Sequence, residues 1–486
     1  MKKFFILLFI LLSVKVFAQK EYKANWESID SRPVPSWFEN SKFGIFIHWG
    51  IYSVPCFEKV GEYSEWYWNR LVNQKAGNAK RTDVIDFHNR VYGKNFTYPQ
   101  FTGEFTCDLF NPDQWADIFK RSGAKYIVLT SKHHDGYCLW PSKDADRSWG
   151  RPWNSTETGP MRDLLGDLTK SVRNAGIKMG IYYSIYEWYN PLYVCNVDEY
   201  VDKHLFPQFK DVVTKYKPSI IFTDGEWEHS ADKWKSTKLL SWLFNESPCK
   251  DSVVINDRWG KGTRHHHGGY YTTEYGSGLS TGNRPWEECR GIGYSFGYNR
   301  AEPLEAYNSV QKLVYMLVDI VSRGGNLLLD IGPTADGRIP VIMQQRLLGM
   351  GDWLRVNSEA IYNTHSWTKT CQWTKGKMPE EKRSEFKEKY DIMKLTVSPE
   401  KGMARKEIFF TQKGSDVYAI CPVYPIKTIT IKDITLSSGS KVFMLGYNKL
   451  IKWKQKGKNV IINVPYLTAS EVPCDYAWTF KLTDCK

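Results

Sequence analysis

The chain has 486 residues, a formal net charge of +13 and 15% aromatic residues, including 20 Trp and 29 Tyr. Lys and Arg are scattered among acidic residues, as in the mixed stretch from Glu380 to Lys389. This argues against a basic stripe for nucleic acid and for solvated faces. Ten cysteines contain no C-x-x-C pair, so no zinc site is expected; in an oxidising compartment some could pair, Cys474 and Cys485 being closest in sequence.

The chain opens with a processing signal over residues 1–18. Lys2 and Lys3 form a basic start, Phe4 to Val14 an apolar run, and Val16-Phe17-Ala18 offers a small residue before Gln19. The run is too short to span a membrane, no later stretch reaches about 18 to 20 apolar residues, and no cysteine follows that could carry a lipid. The expectation is therefore export, to a periplasm or outside the cell, with no membrane span. Removing Lys2, Lys3 and Lys15 lowers the charge from +13 to +10, and the remaining length suits two domains, one of them large.

From about residue 40 to 365 short apolar runs alternate with amphipathic helical patterns. Lys42 to Trp49 reads as a buried strand; Trp115, Ile118 and Phe119 share a helical face that stops at Gly123, and Tyr126 to Thr130 is a second strand. Leu164, Leu165, Leu168 and Val172 mark another helix before the Met179 to Tyr183 strand. Phe209, Val212, Val213 and Tyr216 precede Pro218 and the strand from Ile220, and Val253 to Ile255 follows. Val310, Val314, Leu317 and Val321 then lead through Gly324-Gly325 into the strand from Asn326. Continuous apolar strands alternating with helices indicate a parallel sheet covered on both faces. No G-x-G-x-x-G turn follows the first strand, so a (β/α)8-like barrel over residues 19–365 is preferred to a dinucleotide-binding sheet, and no cofactor is expected. Over 366–486 short strands between Gly, Asn, Ser and Lys turns predict an antiparallel β-sandwich that supports the barrel.

Barrel chemistry sits where strands end. The polar residues there are His48, His133, His134, Tyr183, Asp224 and Arg258. Asp224 in Phe-Thr-Asp-Gly-Glu-Trp-Glu could cap a helix, but beside aromatics at a strand end it suits the nucleophile of glycoside hydrolysis. The partner carboxyl that acts as acid and then base has three candidates in loop-like sequence: Glu274, Glu287 and Glu288. Three histidines on one barrel face suggest hydrogen bonds to sugar hydroxyls, with Tyr183 and Arg258 helping. Metal binding is the weaker reading, since a carboxylate pair needs no metal; the His265-His266-His267 run is read as loop.

Nine segments then carry a resemblance in order. They are Phe43-Gly-Ile-Phe-Ile-His-Trp-Gly, Glu65-Trp-Tyr, Thr130-Ser-Lys-His-His-Asp-Gly, Tyr182-Tyr-Ser, Thr223-Asp-Gly-Glu-Trp, Asn256-Asp-Arg-Trp, Ser295-Phe-Gly-Tyr-Asn, Gly324-Gly-Asn-Leu-Leu-Leu and Ile331-Gly-Pro-Thr-Ala-Asp-Gly. Over nearly the whole chain beyond the signal, the sequence resembles the α-L-fucosidases of glycoside hydrolase family twenty-nine. The resemblance implies a retaining double displacement on terminal α-L-fucosyl residues of oligosaccharides or glycoconjugates. It makes Asp224 the nucleophile, and places His48, Glu65, Trp66, His133, His134, Tyr183 and Arg258 around the fucose ring, with Phe296 against its methyl group. It favours Glu274 as acid/base, with Glu287 as the alternative. Phe222 departs from relatives that carry Trp two positions before the nucleophile; stacking survives that change, an indole hydrogen bond does not. An α-L-galactosidase on the same scaffold and a catalytically silent sugar-binding protein are the rival readings.

Overall fold

The computed structural model describes residues 20–73, 83–279, 284–379 and 390–485. The expected signal segment lies outside the described residues. Eight parallel strands carry the first part of the chain: β1 Phe43–Ile47, β2 Tyr126–Lys132, β3 Lys178–Ser184, β4 Ile220–Asp224, β5 Val254–Ile255, β6 Tyr271–Glu274, β7 Trp286–Gly291 and β8 Asn326–Ile331. Their order is β5-β4-β3-β2-β1-β8-β7-β6, so β1 lies inside the sheet while β5 and β6 are its edges. Among the described residues no ladder joins those edges. The curl is closed instead by two backbone bonds, Gly269 N–H to Asn256 O (3.1 Å) and Tyr270 N–H to Ile255 O (3.0 Å), and by Asp257 accepting from Thr272.

Helices pack outside this curl. The helix Pro112–Ser122 begins on an Asn111 cap with Pro at its first position and ends at Gly123 in the left-handed region (φ 90°), the start and stop signals the sequence carries. The helices Leu164–Asn174 and Phe206–Tyr216 lie where their apolar spacing predicts them. Between β5 and β7 the strand-helix alternation breaks: among the described residues no helix separates them. Read as loop from the sequence, residues 271–274 and 286–291 are the strands that complete the sheet.

Phe46, Tyr126, Val128, Tyr182, Ile220, Phe222, Val254, Tyr270, Cys289 and Leu328 fill the interior, and Phe38 closes the floor against Tyr126 and Tyr270. The interior is thus packed below and open only at the strands' C-terminal ends.

Eight antiparallel strands follow. β9 His365–Trp373, β10 Lys406–Lys413, β11 Asp416–Cys421, β13 Val442–Met444 and β16 Trp478–Leu482 form a sheet ordered β13-β16-β11-β10-β9; β12 Thr428–Ile431, β14 Trp453–Lys456 and β15 Asn459–Asn463 form the second. Ile408, Phe410, Val417, Ile431, Val460 and Ile462 pack between the two sheets. The helix Val310–Ser322 is buried on every side, which explains its almost uniformly apolar sequence, because it lies between β8 and the sandwich strands. Asp319 on it accepts from Lys406 Nζ (2.5 Å), Tyr390 (2.6 Å) and Arg323 (2.8 Å), tying sandwich to barrel. Cys474 and Cys485, the cysteines closest in sequence, form no disulfide with each other.

Gly44 in β1 exists to admit a neighbour: a Cβ there would sit 2.2 Å from the Tyr126 ring. Gly44→Ala is expected to destabilise the chain by about 1–3 kcal/mol through overpacking, read as a lower urea midpoint at unchanged m-value.

Candidate active site

Asp224 ends β4 in register with Ser184 of β3. Its Oδ1 accepts from Arg258 Nη1 at 2.8 Å and its Oδ2 from the Tyr182 hydroxyl at 3.0 Å; His134 Nε2 lies 3.5 Å from Oδ2. Burial would push this carboxyl up, but Arg258, His134 and Arg264 outweigh it and hold Asp224 well below the usual carboxylate range. Glu274 ends β6; its Oε2 accepts from Arg258 Nη2 at 3.2 Å and its Oε1 from the Tyr63 hydroxyl at 3.1 Å. One guanidinium therefore bridges two carboxylates. Arg258 is itself aimed by Nε donating to Thr272 Oγ1 (3.0 Å), and lies over the Phe222 ring at 4.9 Å.

The other side chains at the mouth are mostly neutral. His48 Nδ1 pairs with Asp330 Oδ1 at 2.6 Å; burial pushes the imidazole down to about 3 and pushes the Asp330 carboxyl well up, helped by Glu65. This occupies Nδ1 and leaves Nε2 for the cavity. His133 is likewise held neutral by burial, then by His134 and His48, and its buried Nδ1 has no partner among the described residues. The Ser184 hydroxyl donates to the Tyr186 carbonyl, so its oxygen must accept from His134 Nδ1, 2.6 Å away, which orients the ring with Nε2 toward Asp224. Glu65 Oε2 accepts from Gly297 N–H (2.9 Å) and Ser295 Oγ (3.3 Å), and burial pushes its pKa up to about 8.

Aromatics close the walls. Trp66 packs on Trp188 and Trp227 at 5.0 and 6.3 Å, and Phe296 stacks on His48 at 4.8 Å. The cavity, open at its mouth, has a volume of about 200 Å³. That is smaller than pockets that take drug-sized ligands and suits one sugar ring rather than a chain. Among the described residues no three His, Cys, Asp or Glu side chains are grouped to hold a metal ion. In the histidine run, His265 bonds the Thr272 carbonyl, and His267 bonds Asp30 and stacks on Trp26.

A family model for α-L-fucosidase matches residues 9–359, and one for the α-L-fucosidase C-terminal domain matches residues 401–483. The chain belongs to the α-L-fucosidase family. It is 46% identical to an α-L-fucosidase of Dictyostelium discoideum over 75% of this chain and 79% of that one. It is 40% identical to the human tissue α-L-fucosidase over 96% and 93% of the two chains. Among solved structures, the Thermotoga maritima α-fucosidase in complex with a mechanism-based inhibitor has a TM-score of 0.76 at 36% identity, covering 95% of this chain and all of that one. The same enzyme in complex with fucose has a TM-score of 0.75.

In this member of the fucosidase family the structure brings His48, Glu65, Trp66, His133, Asp224, Arg258, Glu274 and Phe296 to one cavity, with His134 beside Asp224. Tyr183 is a correction. Its hydroxyl donates to Gln208 on the helix Phe206–Tyr216 and its ring lies under Lys132 Nζ, outside the barrel. Side chains alternate along a strand, so the adjacent Tyr182 points inward and meets Asp224. Glu287 and Glu288 are corrected for a related reason. Glu287, second residue of β7, lies at the barrel floor, fully buried and bonded to Tyr126. Glu288 faces the other side, where it accepts from Thr273 and pairs with Arg290 at 2.7 Å. Neither reaches the cavity. Sequence reasoning missed Tyr63, Tyr182, Trp227 and Arg264, which also line it. Strand parity could have found Tyr182; Arg264, in a glycine-flanked turn, carries no signal.

Behind the His133-His134 turn lies a charged knot. Lys132 Nζ, completely buried, donates to Glu187 Oε1 (2.5 Å) and Gln208 Oε1 (2.9 Å). Glu187 also accepts from Trp149 (3.0 Å) and Asn190 (2.7 Å) and pairs with His204 at 2.7 Å. Burial opposes the Glu187 charge, but His204 and Lys132 hold the carboxyl far below its ordinary range. The knot clamps the turn after β2 to the segment after β3, where Trp188 N–H donates to the His134 carbonyl (2.9 Å). Glu187→Gln, which leaves Lys132 buried without its counter-charge, is expected to cost about 3–5 kcal/mol of stability by chemical denaturation.

Proposed function

We propose that the chain is an exo-acting, retaining α-L-fucosidase that removes terminal α-L-fucosyl residues from oligosaccharides or glycoconjugates, and that it is exported after removal of residues 1–18. The observation that carries the enzymatic reading is the bridge of Arg258 between Asp224 and Glu274 at the mouth of a one-sugar cavity. A carboxylate held ionised faces one side of the anomeric carbon, and a second carboxyl stands within reach of the glycosidic oxygen. Membership of the family and the likeness to an enzyme solved with fucose and with a mechanism-based inhibitor support the same reading.

In the first step an Asp224 oxygen bonds C1 as the bond from C1 to the leaving oxygen breaks; Glu274 gives its proton to that oxygen and the alcohol departs. In the second, Glu274 takes a proton from a water whose oxygen bonds C1, and the ester to Asp224 breaks, restoring the carboxylate and the starting anomeric configuration. The neutral set of His48, His133 and Glu65 suits a ring of hydroxyls, since each offers a hydrogen-bonding atom without a buried charge to compensate. Phe296 and Phe46 give the apolar patch that a 6-deoxy sugar can meet.

Asp224→Ala is expected to abolish release of 4-nitrophenol from 4-nitrophenyl α-L-fucoside while leaving the circular dichroism spectrum intact. Failure of the pure folded wild type to release it would sink the reading. Glu274→Ala is expected to lower kcat/KM about 100- to 10,000-fold on substrates with poor leaving groups, and azide, replacing water in the second displacement, should rescue good ones as α-fucosyl azide. Rescue in a Glu287→Ala variant instead would overturn the assignment. For Glu65 the sign follows from its raised pKa of about 8. Below that pH the carboxyl is neutral and donates, and above it the proton and the donor are lost. So kcat/KM should fall as pH rises through about 8, and Glu65→Gln, which keeps an N–H donor, should lack that alkaline limb.

A further inference from the structure

At the edge of the cavity, on the side of Glu274, three tyrosine rings lie nearly parallel, Tyr63 lining the cavity itself. Tyr63 and Tyr294 are 5.5 Å apart at 20°, Tyr275 and Tyr294 5.0 Å at 23°, and Tyr63 and Tyr275 6.1 Å at 27°. Three centroids at such similar spacings form a triangle, so the rings overlap as offset tiles and not as one pile. All three are only half-buried, unlike the fully enclosed aromatics of the barrel floor. Tyr63 and Tyr275 join the cavity wall at Phe296, whose ring is tilted to theirs with centroids at 5.4 and 5.2 Å. The surface is also fixed. The Tyr275 hydroxyl donates to the Tyr294 carbonyl and accepts from Gly291 N–H (2.9 Å), and Tyr275 keeps a left-handed backbone (φ 50°) that L side chains rarely adopt.

We propose that these tyrosines, with Tyr294 as the outermost contact, are the platform for the sugar that carries the fucose, a hexopyranose laid with its C–H face on the rings. The proposal rests on the fucosidase reading and deepens it. Its geometry comes from the chemistry: the nucleophile and the leaving oxygen stand on opposite faces of C1, so the leaving group exits on the side of the acid, away from Asp224. The group that holds Glu274 Oε1 is the Tyr63 hydroxyl, so whatever Glu274 protonates departs past that ring. The other aromatic cluster does not compete for this role. Trp66 and Trp227 pack on His134, at 5.6 and 5.4 Å, next to Asp224, and so wall the fucose pocket on the nucleophile's side. Flat aromatic faces with polar tips suit a pyranose whose ring hydrogens lie to one side and whose hydroxyls point outward.

The test compares two substrates that share the fucosyl group. α-L-Fucosyl fluoride has no aglycone to stack; a fucosyl-galactose disaccharide does. In Tyr294→Ala the ratio of kcat/KM for the disaccharide to that for the fluoride is expected to fall about five- to tenfold, the scale of one aromatic contact, and Tyr294→Phe should keep the wild-type ratio. Equal loss on both substrates, or no change in the ratio, overturns the platform. Should the alanine variant fail to fold, Tyr294→Leu, which keeps bulk without a π face, reads the same ratio. Inactivity of the wild type on the fluoride would instead strike at the fucosidase reading itself, so the two failures are distinguishable.

Discussion

Arg258 donates one nitrogen to Asp224 and the next to Glu274, and the whole mouth of the barrel is arranged so that this buried cation can do both. A guanidinium out of water is costly unless each side is paired, and here the pairing groups are the two carboxyls placed for catalysis. Its third anchor, Thr272, lies on the opposite edge of the sheet from β5, the strand that leads into Arg258. The contacts that aim the arginine are therefore among those that hold the two edges together. Where the strand ladder stops, Asp257 and Arg258 stitch the seam, and the site is built on that seam. A loosened closure would separate Asp224 from Glu274 before it disturbed the apolar interior below.

The same burial gives opposite results for different groups, and the difference is whether a cation faces them. Asp224 faces Arg258 and stays ionised; Glu65 and Asp330 have no such partner, and burial drives them toward the neutral acid. His48 and His133 are driven neutral from the other direction. The cavity is thus divided into a charged end, where positive charge develops on the sugar, and a neutral wall, where hydroxyls need partners but not charges. The Lys132–Glu187 knot keeps its charges out of this division: it sits behind the wall, fully paired, and acts on the cavity by fixing where the His133-His134 turn lies.

Strands β1 to β5 and β8 were legible because each is an apolar run, buried on both faces. β6 and β7 were not, since Tyr-Thr-Thr-Glu and Trp-Glu-Glu-Cys-Arg-Gly place polar side chains where most parallel strands place Val or Ile; their burial is made possible by partners distant in sequence, Tyr126 for Glu287 and Arg258 for Glu274. The adjacent pair Tyr182-Tyr183 failed for a smaller reason. Composition is blind to strand parity, and one step along β3 exchanges the cavity for the Gln208 layer. Tyr63 and Arg264 come from segments with no regular period, and only the folded chain brings them to Asp224 and Glu274.

The two glutamates first weighed as equals show how position along a strand decides chemistry. Glu274 is the last residue of β6, so its carboxyl emerges at the open end with Tyr63 and Arg258. Glu287 stands near the start of β7, in register with Asn326 at the opposite end of the barrel, where burial pushes its pKa up to about 8 and Tyr126 holds one oxygen. As a neutral acid it can serve the floor as a hydrogen-bonding filler among aromatic rings, a role in which its acidity is suppressed rather than used. The parallel register pairs Glu274 with Cys289, two residues beyond Glu287 on the neighbouring strand. Two residues along a strand separate an acid that reaches the cavity from one sealed in the floor, because the barrel is open at one end and packed at the other.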